Sequence, residues 1–312
     1  MGCEDLLVSN VTEIYSKLSN LESLSPSKEV NMLFTNLVQM CVPPSPIDVT
    51  KLSKKVQDMR SKLIIICGTA EGLMESHYSA ILGSFESPLD HLYLFPYYTN
   101  YIKLGQLEFN ILSQHLINSR VPKQIAFLGS GPLPLTSVVL ASNHLTDTIF
   151  HNYDIDESAN ALGSNLVASD PDLSKRMIFH TKDVMNVTSD LKQYDVVFLA
   201  ALVGMGKQSK IKVINHLAKH MSAGAILMLR SAHGARAFLY PVIDPCDLPG
   251  FEVLSVYHPT DEVINSVVIA RKKTVVVHSN DHSMLYPEKC SMIHQSLNNH
   301  GGNKIEELTA AE

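Results

Sequence analysis

The segment Phe127-Leu128-Gly129-Ser130-Gly131-Pro132-Leu133-Pro134-Leu135-Thr136 limits what this 312-residue chain can fold into more than any other stretch. It follows a short apolar run, Gln124–Leu128, that reads as a buried strand, and it precedes an apolar run of helical length, Leu135–Leu145. Strand, glycine turn, helix brings backbone N–H groups and a helix N-terminus up to a ligand. Glycine is what lets the chain turn tightly and a ligand approach the backbone. The two prolines set the segment apart from a generic glycine loop.

From about Pro122 onward, short β-rich runs alternate with helix-like stretches. The strand candidates are Gln124–Leu128, 148–153, Met177–Thr181, 194–200, 225–230, Phe251–Tyr257 and 263–271. The first five alternate with helices, as in a parallel doubly wound sheet, and the last two lie close enough to pair antiparallel. Five crossover strands closing on a hairpin predict an α/β chain with a Rossmann-like, methyltransferase-type domain at about residues 119–275. Residues 1–118 read differently. Leu6, Val8, Val11, Ile14, Tyr15 and Leu18 follow a three-to-four spacing, as do Val30, Met32, Leu33, Leu37, Val38 and Met40. Pro43-Pro44-Ser45-Pro46 breaks the pattern. Two or three helices are expected over about 48–84 and 88–118, the last starting at Ser87-Pro88-Leu89-Asp90. An N-terminal helical domain therefore precedes the sheet. The polar, irregular residues 276–312 predict a disordered tail.

Net charge −6 and a pI near 6.1 exclude general nucleic-acid binding. The five cysteines are far apart with no CxxC pair, which predicts free thiols and a reducing compartment. Cys67 lies in an apolar run and is expected in the core. The N-terminus has neither the basic region nor the apolar core of a secretory signal, and no apolar run reaches membrane-spanning length. A cytoplasmic protein without stable membrane insertion is expected.

Several side chains are placed to carry chemistry. Asp154 ends the second strand, where a carboxylate can accept from both ribose hydroxyls. Asp183, past the third strand, suits an adenine amino group. The fourth strand ends in the small residues Ala200-Ala201, which leave room for a flat ring. With Gly129, Ser130 and Gly131 these strand ends describe an adenosine site for S-adenosylmethionine or NAD, and Pro134, which follows where a third glycine is expected, favours the former. Glu71 and Glu75 share one helix face, and by spacing alone that is a solvated face. The tyrosines 93–101 fit either core packing or a pocket rim. Arg230, Arg236 and Tyr240 follow the fifth strand, where arginines either bind a carboxylate bidentately or lie on the surface. The pairs His216/His220 and His278/His282 lack a third ligand and read as surface histidines.

The run Glu75–Tyr101, the segment 127–136, Ala200-Ala201-Leu202 and 230–240 together resemble the nicotianamine synthase family, and most closely its plant members, over about residues 1–275. The resemblance implies an enzyme that joins three S-adenosylmethionine molecules by transferring the 3-amino-3-carboxypropyl group. Two N-alkylations and one azetidine closure release methylthioadenosine each time. The product chelates iron, copper, zinc and nickel, while the enzyme itself is expected to need no metal. It further implies that Glu75, or Glu71 if the match shifts by one helical turn, is the catalytic glutamate, with Tyr101 its partner and the strand-end residues the S-adenosylmethionine contacts. The alternatives are a small-molecule methyltransferase and a non-catalytic S-adenosylmethionine-binding protein. The plant enzymes carry sorting signals, which Tyr101-Ile102-Lys103-Leu104 fits and Ile111-Leu112 loosely fits. Vesicle association is one expectation, and a helix interior explains the same residues equally well.

Overall fold

The computed structural model describes residues 2–116 and 120–274. The expected tail, His278, His282 and Cys290 lie outside the described residues. Helices α1 (Cys3–Ser19), α2 (Lys28–Cys41), α3 (Lys54–Leu82) and α4 (Tyr98–His115) come first. Then β1 (Gln124–Leu128), α5 (Leu135–Asn143), β2 (Ile149–Asp154), α6 (Glu157–Val167), α7 (Leu173–Arg176), β3 (Met177–Thr181), β4 (Val196–Leu199), α8 (Lys207–His220) and β5 (Ile226–Ser231) alternate. The described chain closes on β6 (Phe251–Tyr257) and β7 (Ser266–Lys272).

The seven strands run in the order β3-β2-β1-β4-β5-β7-β6. β1 to β5 are parallel, and β7 is antiparallel to both β5 and β6. This is the expected Rossmann-like arrangement, five parallel strands closed by an antiparallel pair. Successive strand side chains point to opposite faces, and here both faces are covered. Ile125 and Phe127 of β1, Val196 and Phe198 of β4, and Ile226 and Met228 of β5 join one core with α4 and α5. The residues between them, Ala126, Leu128, Val197, Leu199, Leu227 and Leu229, join a second core with α8. Two covered faces are why these strands read as unbroken apolar runs rather than alternating ones.

A third core joins α1, α2 and the first half of α3 (Met59, Leu63, Cys67) to the segment 232–239. Cys41 and Cys67 are buried free thiols. Cys246 departs from the free-thiol expectation and is disulfide-bonded. The second half of α3 leaves this core: Leu82 is buried in the first, and Met74 and Tyr78 pack against it.

One expected start is corrected. Pro88–Leu94 is a short 3-10 turn with no side-chain cap at Ser87, and the helix proper begins at Tyr98. Pro96 explains the break, since a proline disfavours helical backbone at the residue before it.

Candidate active site

All five parallel strands point their C-terminal ends to one edge of the sheet. Crossovers leave β1 and β4 in opposite directions there, the arrangement that opens a crevice. The crevice is a cleft of about 750 Å³. Gly129, Ser130, Gly131, Asp154, Asp183, Ala200, Arg230, Glu71, Glu75, Tyr101 and Tyr240 all line it, so eleven residues taken from scattered parts of the sequence meet in one place.

The glycine turn is anchored from the neighbouring strand. Gly129 N and Ser130 N both donate to the Tyr153 carbonyl, at 2.8 and 3.0 Å. Gly131 N donates to Asp154 Oδ2 at 2.9 Å, and Asp154 Oδ1 accepts from Asp156 N at 3.0 Å. Each carboxylate oxygen has a second lone pair, so Asp154 keeps acceptor capacity for two hydroxyls. Gly129 and Gly131 have φ +82° and +66°, the left-handed region that costs other residues about 1–2 kcal/mol. A Cβ on Gly129 would stand 2.2 Å from Val203 Cγ2, and one on Gly131 2.8 Å from Glu75 Oε2. Asp183 Oδ1 accepts from Met185 N at 2.8 Å, which fixes its carboxylate at the cleft wall. Behind Ala200, the buried Lys210 donates to the Ala200 and Ala201 carbonyls at 3.1 and 2.9 Å, and burial draws its amine down to about 7.

Across the cleft, α3 presents its two carboxylates. Glu71 and Glu75 fall in the same three-to-four rhythm as Leu63, Cys67, Tyr78 and Leu82, so they continue the buried stripe of α3, and the solvated-face reading is overturned. Tyr101 donates to Glu75 Oε1 at 3.2 Å, and Tyr240 donates to Glu71 Oε2 at 2.9 Å. By accessible surface both glutamates are half-buried, because the cleft admits water to them. The protein mass around them nonetheless withholds most solvation from the charged form. That burial raises Glu71, and burial together with the neighbouring Glu71 charge raises Glu75 well above the usual carboxylate range. The same burial, reinforced by the carboxylates, holds both tyrosines protonated as donors. Tyr97 is at the rim of an adjoining cavity, whereas Tyr93 faces solvent and Tyr98 packs on the core.

The arginines divide. Arg230 lines the cleft, but its Nε and Nη2 already donate bidentately to the buried Glu108 of α4 at 2.8 and 3.0 Å, with Thr136 Oγ1 at 2.6 Å. Its carboxylate partner is thus the protein's own. Arg236 is a correction. It does not line the cleft, and its Nη1 and Nη2 donate to the Pro259 and Asp261 carbonyls, where they tie a loop down. The residues that fit the sorting signals lie within a helix. Tyr101 and Leu104 belong to α4, the Tyr101 hydroxyl is held by Glu75, and Leu104, Ile111 and Leu112 are buried. His216 is half-buried on the Val187 carbonyl at 2.7 Å, with the His220 ring beside it. Among the described residues, no group of three or more His, Cys, Asp or Glu could hold a metal ion.

The family model described as "Nicotianamine synthase protein" matches residues 2–277. The chain belongs to the nicotianamine synthase family. It is 60% identical to "Nicotianamine synthase 3" of Arabidopsis thaliana over all of this chain and 99% of that one. It is 68% identical to the nicotianamine synthase of Solanum lycopersicum over 86% of this chain and 84% of the relative. Among solved structures, MtNAS in complex with MTA and tNA superposes with TM-score 0.72 at 21% identity, covering 85% of this chain and 98% of that one. A Glu→Gln mutant of MtNAS in complex with S-adenosylmethionine gives 0.70 at 22% identity, covering 86% and 98%. These structures share the fold.

Against that family background, two residues stand out that the sequence reading passed over. Glu108 is buried on α4, and its partner Arg230 on β5 explains how a carboxylate can stand there. Asn265 precedes β7, lines both the cleft and the adjoining cavity, and its amide nitrogen is buried without a hydrogen-bond partner. Nothing in its local sequence announces a buried, unpartnered amide at that position.

Proposed function

We infer that this chain is a nicotianamine synthase that condenses three S-adenosylmethionine molecules by 3-amino-3-carboxypropyl transfer, with Glu75 as general base and Tyr101 as its partner. Gly129, Ser130, Gly131, Asp154, Asp183 and Ala200 are proposed to hold the nucleoside. The observation that carries the reading is the position of Glu75. Its carboxylate stands over the glycine turn, 2.8 Å from where a Gly131 Cβ would be, so a base in a poorly solvated place faces the proposed nucleoside cradle. An α-ammonium near pH 7 must lose a proton before it attacks, and a carboxylate raised by burial is a better acceptor for it than one in water. The Tyr101 hydroxyl fixes the carboxylate's orientation. Holding amine, γ-carbon and sulfur in line supplies roughly 7–11 kcal/mol more.

The test starts from the purified full chain and S-adenosylmethionine alone. Methylthioadenosine and nicotianamine are expected; S-adenosylhomocysteine formed with an added acceptor would instead identify a methyltransferase. Glu75→Gln is expected to slow methylthioadenosine release by about 10²–10⁴-fold, the range for a general base, with S-adenosylmethionine affinity by calorimetry changed only a few-fold. Release at the wild-type rate would remove Glu75 from the role.

A further inference from the structure

Beside the cleft lies a second cavity of about 310 Å³, lined largely by apolar and tyrosine side chains from α2, α3, α4 and the 239–265 region. Glu71, Glu75, Tyr101, Tyr240 and Asn265 line both spaces. Among the described residues, the wall of the second cavity has no lysine, arginine or histidine, and its charged residues are Glu71 and Glu75. These two carboxylates are not equivalent. Glu75 stands at the glycine turn on Tyr101, while Glu71 stands one helical turn away on Tyr240.

The chemistry asks for two such groups. In each transfer the acceptor ammonium gives a proton to a carboxylate and its lone pair attacks the γ-carbon. The N–Cγ bond forms, the Cγ–S bond breaks, and its electron pair stays on sulfur, so methylthioadenosine leaves neutral. The positive charge carried by the sulfonium is now on a secondary ammonium. A new primary amine lies three carbons further along the transferred group. The two nitrogens are about 5 Å apart by ordinary C–N and C–C bond lengths. Helix positions i and i+4 place their Cβ atoms roughly 5–6 Å apart. A buried cation without a counter-charge is costly, and the wall supplies one carboxylate at each end of that span.

We propose that Glu71, oriented by Tyr240, is a positioning residue that pairs with the secondary ammonium left by the preceding transfer and so sets the growing chain in register for the next attack at Glu75. This rests on the reading of Glu75 as the base. The first transfer has no secondary ammonium to hold, so Glu71 acts on the later steps.

The experiment compares Glu71→Gln with wild type in the full chain, following methylthioadenosine, nicotianamine and the single-transfer intermediate by mass spectrometry from S-adenosylmethionine alone. The expected result is a ratio of single-transfer intermediate to nicotianamine at least tenfold above wild type, with more methylthioadenosine released per nicotianamine. A purely structural defect slows all steps together and leaves that ratio unchanged; an unchanged ratio overturns the proposal. So does loss of the first transfer to the extent expected of Glu75→Gln, which would make Glu71 the base. If Glu71→Gln does not fold, Tyr240→Phe carries the same test, since it frees the Glu71 carboxylate and keeps the ring. Failure of the underlying reading shows separately, as wild-type methylthioadenosine release from Glu75→Gln.

Discussion

Glu75 illustrates how a single residue is tuned by what is withheld from it. Its carboxylate loses solvation to the surrounding protein and feels the charge of Glu71 one turn away, and both effects favour the protonated acid. A base works in its deprotonated form. Methylthioadenosine release is therefore expected to fall as pH drops through a value well above the ordinary glutamate range near 4.3. Glu71→Gln removes the neighbouring negative charge, so the acid limb of kcat/KM for the first transfer should move to lower pH. A limb that stays in place would mean that the two carboxylates do not sense one another. At this scale the sequence was only half legible. The four-residue spacing put both acids on one face of a helix, and their phase with Leu63, Cys67, Tyr78 and Leu82 was there to be read. Their tyrosine partners lie 26 and 169 residues away, and no local pattern reveals a hydroxyl at that distance.

Among the elements, the turn between β1 and α5 is the most constrained. Two backbone bonds tie it to Tyr153 and one to Asp154, and both glycines have left-handed backbone. Gly131→Ala adds a methyl group against Glu75 and a conformational cost of about 1–2 kcal/mol. It is expected to weaken S-adenosylmethionine binding at least tenfold by calorimetry and to lower turnover further, because the same methyl displaces the base. Binding as in wild type would show that the turn does not form the nucleoside cradle. Strands and turn were visible in the sequence because a sheet covered on both faces demands continuous apolar runs, and because glycine at a turn has a steric meaning. The start of α4 is not legible, since a serine–proline–acid pattern suits a 3-10 turn as well as a helix, and Pro96 then interrupts the chain. Arg230 was found and its partner was not: the ion pair to Glu108 joins β5 to α4 across 122 residues.

For the molecule as a whole, the chamber is a region where the fold is less stable than it could be. Glutamates whose folded-state pKa is raised impose no penalty below their unfolded value near 4.3; stability is lost as pH rises through the raised values. The double variant Glu71→Gln/Glu75→Gln is therefore expected to melt above wild type at pH 8, with the gap closing towards pH 4. Each 1 kcal/mol corresponds to about 2–4 °C for a chain of this size. Equal melting temperatures at pH 8 would contradict the raised values. The architecture itself followed from the alternation of runs after Pro122. What did not follow was the way the two halves of the chain share a wall, because that depends on where a helix of 29 residues is cut between two cores.

That helix has a kinetic meaning. α3 is continuous from Lys54 to Leu82, and its ends are embedded in different cores while its middle carries the two carboxylates. At 1.5 Å per residue it is a rod of about 43 Å with no break at the chamber. Splaying the two cores apart would bend this rod and disrupt its hydrogen bonds, so traffic in and out of the chamber falls to rim side chains and loops. Such motions run on nanoseconds to microseconds, faster than the microsecond-to-millisecond swing of hinged domains. Intermediates are then expected to be retained by the fit of the walls rather than by a slow door.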